Sequence, residues 1–391
     1  MSQTKRGLLK VVITLALALG IGAIFILSIG ENPIEAYGAL LKGAFGTKLG
    51  LGTTLAQFTP LLITSTAFAV AAAAGAFNVG VEGEVILGGL TAAYIGIHWG
   101  FLPVPLLYVA CFLGAMAVAA AWAFIPAVLK AYYNVSEVCV TILMNTVALY
   151  IGSYIVSGPM SAGTATPQTD PVLVTIPKIM KPSSANAGLF IAIAVVLIVI
   201  FITYKTKWGY KIRTVGTNPA HADYVGISSK RTFINAMLLS GMLGGIAGCI
   251  EVLGVYGYYL DNFAKDLGTN GMLSALIVKS NMLFTPFIAF FIAVLKSGAL
   301  AMQQATNVPK SIVDTVSAVF IVIATMDFVV ELGNRRKREK AGNGIAGGGN
   351  MAAAVEKASS LSREAAETEE TPAERNAENS QAEKTKEGGS K

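Results

Sequence analysis

Catalysis by side chains needs a nucleophile, a base and a group to orient them, and this sequence offers few of those parts. Its two histidines are His98, at the end of an apolar run, and His221, in a basic stretch. Neither a Ser/His/acid triad nor a His-based metal site can be assembled from them. Cys111, Cys139 and Cys249 lie in or beside apolar runs, where a thiol packs as a small apolar group. No Gly-Lys dipeptide occurs, which excludes a phosphate-cradling P-loop. No residue is assigned as catalytic or metal-ligating, and the chemistry that remains is binding. Asn78, Glu82 and Glu84 stand in Gly75–Gly89, GAFNVGVEGEVILGG, between two apolar runs. Acids near a membrane boundary are candidates for function; the alternative is solvated acids at an interface, with Gly80 and Gly83 present for close packing. Asn145 lies in an otherwise apolar run, and Gln303 and Gln304 close another. An amide so placed either bonds across to a neighbouring helix or meets a polar ligand.

These groups must be positioned by membrane helices. The 391 residues are 54% hydrophobic and 13% charged, with mean hydropathy +0.61, too little polar surface for a soluble globule. Uncharged stretches recur at the roughly 20-residue length that crosses a bilayer, and without water to satisfy the backbone they must be helices. The chain is therefore expected to be an all-α polytopic membrane protein. Spans are expected near Leu8–Ile29, Leu55–Phe77, Val81–His98, Leu106–Leu129, Glu137–Ser157, Gly188–Tyr204, Phe233–Leu253, Met282–Gln303 and Ile312–Leu332. Thr269–Lys279 is a short or broken crossing that brings the count to about ten. The first run is long for a cleaved leader and no small-x-small site precedes Glu31, so it reads as a retained span. Gly158–Ala187, rich in Pro, Ser and Thr, reads as a long external loop.

Charge sets the orientation. With ten crossings, fifteen bases fall on inner segments and six on outer ones, as the positive-inside rule requires of a chain with both termini in the cytoplasm. Nine crossings would strand Arg335–Arg338 outside. Residues 339–391 carry ten acids against seven bases and no aromatic residue, the composition of a disordered, solvated cytoplasmic tail. This leaves 1–338 as the transmembrane domain.

The most polar interval between spans is Tyr204–Phe233, with Lys205, Lys207, Lys211, Arg213, Lys230 and Arg231. It contains a short helix written in capping residues: Asn218 suits the N-cap, Pro219 the first turn, and Gly226 the left-handed position after the last turn. A helix of about two turns is not stable alone, so it must pack on something. The loop 205–231 could also be held by anionic lipid, which accounts for its lysines but not for a capped helix.

Several stretches resemble the permease subunits of ABC importers in the branched-chain amino acid, ribose and nucleoside group. Asn78-Val-Gly-Val-Glu-Gly-Glu84 resembles that group's Asn-x-Gly-x-Glu-Gly-Gln signature. Arg213-Thr-Val-Gly-Thr-Asn-Pro-Ala-His-Ala-Asp-Tyr-Val-Gly-Ile227 is similar to its Arg-x-x-Gly-x-Asn-Pro-x-x-Ala-x-Tyr-x-Gly-Ile motif, and Leu239–Gly248 to its Ser-Gly-x-x-x-Gly-x-x-Gly continuation. Asn134-Val-Ser-Glu-Val, Met144-Asn145, Ser157-Gly-Pro, Pro167-Gln168 and Gly298-Ala-Leu-Ala-Met-Gln303 resemble the nucleoside (simple sugar) branch, which works with a binding lipoprotein of the basic-membrane-protein type. Glu84 departs from the pattern's Gln, and Lys279-Ser280-Asn281 from a Gly-Gly-Asn-like turn.

The resemblance implies a bacterial plasma-membrane transport subunit that is not an enzyme and holds no cofactor. ATP and Mg would be bound by separate ATPase subunits. The further partners implied are a second permease, an extracellular substrate-binding lipoprotein and membrane lipid, with no nucleic acid. It makes Pro219–Val225 a coupling helix, with Gly216, Asn218, Pro219, Ala220, Asp223, Tyr224 and Gly226 as coupling residues. Ala220, Asp223 and Tyr224, at i, i+3, i+4 spacing, form its docking face. Asn78, Glu82, Asn145 and Gln303 are then the substrate-pathway candidates for a nucleoside; ribose-like sugars or amino acids, or ion-coupled transport, are the alternatives.

Overall fold

The computed structural model describes residues 19–306 together with Val308, Ile312 and Thr315. Twelve α-helices follow in order among them: α1 (Leu19–Ser28), α2 (Pro33–Phe45), α3 (Lys48–Ala73), α4 (Val81–His98), α5 (Val104–Tyr133), α6 (Glu137–Ser157), α7 (Gly188–Lys205), α8 (Lys207–Thr217), α9 (Pro219–Tyr224), α10 (Ser229–Ile250), α11 (Leu267–Ile277) and α12 (Thr285–Ala305). One π-helical turn, Glu251–Tyr256, prolongs α10 and ends at Gly257, whose φ of +78° only a residue without a Cβ adopts freely.

Six of these helices are long and apolar enough to cross a membrane, or seven if α1 and α2, bent by 118°, count as one broken span. About ten were expected, and the shortfall has physical causes. The expected first span lies partly, and the last almost wholly, outside the described residues, as do residues 339–391. The helix α4 begins and ends where expected but carries Glu82 and Glu84 in its first turn, and α11 has only 11 residues. The expected connector Glu31–Gly50 is mostly helix: Asn32 caps α2 by accepting from Ile34 N–H, and Ala36, Leu40 and Ala44 are buried.

The core is built on α3 and α10, each burying 78% of its most apolar window. α10 packs on α3, α4 and α5, while α12 packs on α2, α3 and α11. Close approach of α10 is written in its glycines. A Cβ on Gly241 would lie 2.7 Å from the backbone oxygen of Ala119, and one on Gly245 would collide with that of Ala115, both on α5. On the row beside it, a Cβ on Gly244 would lie 2.7 Å from Glu84 Cβ, and one on Gly248 would strike the backbone oxygen of Val85, both on α4. Glycines four apart in two adjacent rows thus let one helix nest against two others, the packing that membranes favour when hydrophobicity does not drive association.

The loop Gly158–Ala187 is an ordered strap. Val172, Val174 and Ile176 are buried in alternation with exposed neighbours, the period of an extended chain. Thr169, Val172 and Ile176 N–H groups donate to Tyr259, Gly257 and Leu253 carbonyls at 2.8–3.0 Å. The strap and the π-helical turn line an open pocket of about 330 Å3 whose walls include Lys178, Lys181, Leu253 and Tyr256.

Candidate functional site

The chain leaves α3 at Ala74, turns through Gly75 (φ +80°) and re-enters helix at Val81. Within this break Asn78 is fully buried, and both its amide hydrogens and its oxygen are engaged. Its Nδ2 donates to Glu84 Oε1 and to Ser240 Oγ, each at 2.9 Å, and its Oδ1 accepts from Gly80 N–H at 2.9 Å. Asn145 adds two bonds from α6: its Oδ1 accepts from Gly83 N–H and one Nδ2 hydrogen donates to Val79 O, both at 2.9 Å. These amides replace the backbone partners that a helix break forfeits in lipid.

Glu82 serves the opposite side of the same turn. Its carboxylate accepts from Asp266 N–H at 3.3 Å and from Thr269 Oγ1 at 3.0 Å. It thereby ties α4 to the start of α11, whose N-terminal end favours a negative charge and whose own N-cap residue makes no side-chain cap bond. Asn78, Glu82 and Asn145 therefore meet at one place. Gln303 does not join them: it is exposed in the last turn of α12, beside Met302 of a separate cluster with α1 and α2.

Sequence reasoning gave less weight to two acids that the structure buries. Glu84 is 1% exposed, and its Oε2 has no hydrogen-bond partner among the described residues. Glu251, which falls near an expected span end, is 6% exposed at the start of the π-helical turn. Ser240, the third member of the Asn78 cluster, went unnoticed; its position in the small-residue run of α10 was the available signal. Asn78→Ala would leave Glu84 Oε1 and Gly80 N–H unpaired in the interior. At about 1–3 kcal/mol per orphaned group, a loss of about 2–6 kcal/mol is expected, read as a lower unfolding temperature of the purified chain in detergent.

The basic stretch is more helical than expected. Besides α9 it contains α8, whose Gly209, Ile212 and Val215 are buried. Gly216 docks α8 on the end of α3: a Cβ there would strike the Ala73 carbonyl, and Gly216 Cα lies 3.6 Å from the Cβ position of Gly75. α9 has the expected caps. Asn218 Oδ1 accepts from His221 N–H at 3.0 Å, Pro219 opens the helix, and Gly226 follows it at φ +83°. Ile227 N–H closes back on Ala222 O at 2.8 Å, the pattern of a left-handed C-terminal cap.

Ala222 alone is buried on α9, while Ala220, Asp223 and Tyr224 are exposed, Tyr224 to 91%. The carboxylate of Asp223 is nevertheless engaged. It accepts from Ser229 N–H at 2.8 Å and Ser229 Oγ at 2.7 Å, tying α9 to the first turn of α10. Those two bonds, with the nearby Lys230 charge, hold the Asp223 carboxyl below its ordinary value of 3.8. A carboxylate whose native pKa is depressed adds stability above its unfolded value and loses it as pH falls through the native one, so the tie is whole at neutral pH. Asp223→Ala is expected to speed amide hydrogen exchange in α9 and the first turn of α10 while leaving the rest of α10 protected. Two cations of the stretch rest on aromatic rings, Arg213 over Tyr204 at 5.4 Å and Lys230 over Tyr132 at 5.1 Å.

The break and the basic stretch are one connected assembly: α8 abuts the break through Gly216, and α10 joins Asn78 through Ser240 and α9 through Ser229. Comparison with known proteins places this assembly in a family. Residues 50–325 match the family described as branched-chain amino acid transport system / permease component. The chain is 31% identical over 349 residues to the nucleoside ABC transporter permease protein NupB of Lactococcus lactis subsp. cremoris, covering 85% of this chain and 94% of that one. It is 31% identical over 345 residues to the guanosine ABC transporter permease protein NupP of Bacillus subtilis, covering 86% and 98%. It is 29% identical over 331 residues to the glucose ABC transporter permease protein TsgB13 of Haloferax volcanii, covering 81% and 87%. With the family match spanning the break, the strap, the basic stretch and the glycine rows alike, the chain belongs to the branched-chain amino acid transport system permease component family of multi-pass membrane proteins.

Proposed function

We propose that this chain is the membrane-spanning permease subunit of an ATP-driven ABC importer that carries nucleosides by alternating access. The observation that carries the reading is the near full-length similarity to two relatives named for nucleoside and guanosine permease proteins. The chain itself is a transport component: ATP and Mg are bound by separate ATPase subunits, a second permease subunit completes the pathway, and an extracellular lipoprotein delivers substrate. The seat is a bacterial plasma membrane. Residues 1–338 make about ten crossings with both termini cytoplasmic, and 339–391 form a cytoplasmic tail. The bias of fifteen inner to six outer bases supports that topology.

In this reading α9 is the coupling helix. Tyr224, exposed at its tip, enters a cleft of the ATPase. When ATP closes the ATPase pair, α9 moves, and two links carry the displacement. The Asp223–Ser229 bonds pass it to α10, and the seat of Gly216 on Ala73 passes it to the end of α3. Both routes arrive at Asn78, which bonds the break to α10 through Ser240. A break held by side-chain amides is an element that can switch between two arrangements, which alternating access needs.

Substrate class is tested by competition. Uptake of labelled uridine or guanosine by cells carrying the whole importer should fall by more than about half when an equal excess of another nucleoside is added. Glucose, ribose and amino acids at that level should leave it unchanged. Competition by sugar instead of nucleoside would favour a sugar permease, the reading that the glucose permease relative supports.

A further inference from the structure

Backbone strain among the described residues is concentrated around one short helix. Five residues other than glycine hold a left-handed conformation: Asn134, Asn262, Asp266, Lys279 and Ser280. All but Asn134 flank α11, two before it and two after. Asn and Asp tolerate that conformation, whereas Lys and Ser adopt it at a cost. Lys279 and Ser280 take it in succession, with Lys279 N–H donating to Leu276 O at 2.9 Å and Ser280 N–H to Ala275 O at 2.7 Å. In such a C-terminal cap the first left-handed seat usually goes to glycine, and here the sequence departs from a Gly-Gly-Asn-like turn. Strain of this kind persists only where the surrounding structure imposes it, and it marks switching elements.

The seat of α11 is smooth. Its 11 residues rise about 16 Å, about half of a bilayer's hydrocarbon core. It meets α4 and α3 through glycines: a Cβ on Gly268 would strike the Glu82 backbone nitrogen, and one on Gly271 the Thr64 side chain. At neither point does a side chain of α11 interlock with its neighbour. Among the described residues, the hydrogen bonds that tie α11 and its N-cap to other helices are few. Thr64 Oγ1 donates to Leu267 O at 3.2 Å, and Asp266 N–H and Thr269 Oγ1 donate to the Glu82 carboxylate. Glu82 is the second residue of α4 after the break. On its other side, the chain leading to α11 is fastened to the strap, where Tyr259 N–H donates to Thr169 Oγ1 at 3.0 Å. A helix too short to span, set between the strap and the break, is placed where broken transporter helices work.

We infer that α11 is a hinged gate, a rigid segment that leaves its seat on α3 when the break rearranges, with the Glu82 carboxylate as its latch. Asn262–Asp266 and Lys279–Ser280 are the hinges. Release lets Lys279 and Ser280 leave the left-handed region, and the Glu82 bonds and the apolar seat oppose it, so a shift of the break that weakens the latch moves the balance. The inference rests on the alternating-access reading above and adds to it the element that moves and the group that restrains it.

The test uses the complete importer in a Cys139→Ser background, which leaves the buried Cys111 and Cys249. Ser274 of α11 is fully buried. Ser274→Cys should resist a charged methanethiosulfonate without nucleotide and react at least about tenfold faster when ATP and vanadate trap the closed ATPase pair. Ala192→Cys, equally buried on α7, should stay unreactive in both conditions. Glu82→Gln should raise the nucleotide-free rate at Ser274→Cys at least about threefold, since a neutral acceptor holds less firmly. Lys279→Gly/Ser280→Gly should raise the unfolding temperature of the purified chain. In a Glu82→Cys/Thr269→Cys chain, a short bifunctional methanethiosulfonate would bridge the two bonded positions. Uridine uptake should then fall at least about tenfold below that of the same chain treated with a monofunctional reagent, and reduction should restore it. Equal Ser274→Cys rates with and without trapped nucleotide, or undiminished uptake by the bridged importer, would overturn the gate. An unchanged rate in Glu82→Gln would overturn the latch, and an unchanged unfolding temperature in the double glycine chain would overturn the strained hinge. If the parent importer carries no uridine, the nucleoside reading falls, and the Ser274→Cys rates still decide the gate.

Discussion

Tyr224→Ala is expected to lower ATP-dependent uptake by about tenfold or more while the chain reaches the membrane at its normal level. Tyr224 is 91% exposed at the end of α9, so its removal should cost the purified chain little stability. An exposed tyrosine on a rigid two-turn platform is the kind of side chain that anchors an interface, where truncation of a central anchor costs about 2 kcal/mol or more, beyond the 1.4 kcal/mol that makes a factor of ten. Co-purification of the ATPase with the permease should weaken in parallel. The companion variant Asn218→Ala removes the cap from His221 N–H and should act in the same direction through loss of α9 itself, at about 0.5–2 kcal/mol of helix stability. Normal uptake and normal ATPase retention in Tyr224→Ala would detach α9 from coupling.

Gly248→Val and Gly245→Val are expected to do their damage inside the fold. The added side chain at Gly248 meets the Val85 carbonyl and the Gly89 nitrogen, and at Gly245 it meets the Ala115 carbonyl. These are backbone atoms of α4 and α5, which cannot rotate aside as a side chain could, so α10 must move away from one partner. A loss of about 3 kcal/mol or more is expected, at the upper end of what overpacking costs, with reduced membrane yield and a lower unfolding temperature in detergent. Gly163→Ala, in the strap, would meet nothing within 4 Å, although its φ of +68° carries a backbone cost. It should cost about 1 kcal/mol. The comparison separates helix crossing from general intolerance of side chains at glycine.

What the sequence made legible was what is encoded locally. α9 was readable because Asn218, Pro219 and Gly226 lie within nine residues of one another, and each acts on backbone next to it. The bounds of α4 and α6 matched expectation because Gly80, Ser136 and Gly158 adjoin their ends. α8 was not legible because Lys207, Lys211 and Arg213 give it the look of a basic loop, and only Gly209, Ile212 and Val215 mark the buried face. The strap reads as irregular because Pro171–Ile176 is apolar at five of six positions, so the alternation of buried and exposed residues appears only in the structure.

The candidate site was legible as residue types and not as roles. Asn78 and Asn145 look equally suited to ligand or structure until their partners appear, and those partners lie up to 162 positions away. Asp223 was assigned to the docking face by helical spacing, and it is exposed as expected. That its carboxylate is bonded to Ser229 across the turn into α10 could not follow from spacing within α9. Gln303 shares only its chemistry with the other three candidates, and its helix lies among different neighbours.

In the proposed reading the chain moves nucleosides with energy received from ATPase subunits through α9. The most direct measurement is accumulation of labelled uridine in proteoliposomes holding the complete importer, with the delivery lipoprotein outside and ATP inside. Accumulation should require ATP and Mg, be insensitive to a protonophore, and be lost in the Tyr224→Ala chain. Accumulation that persists without the ATPase subunits and collapses when a protonophore dissipates the ion gradient would contradict it.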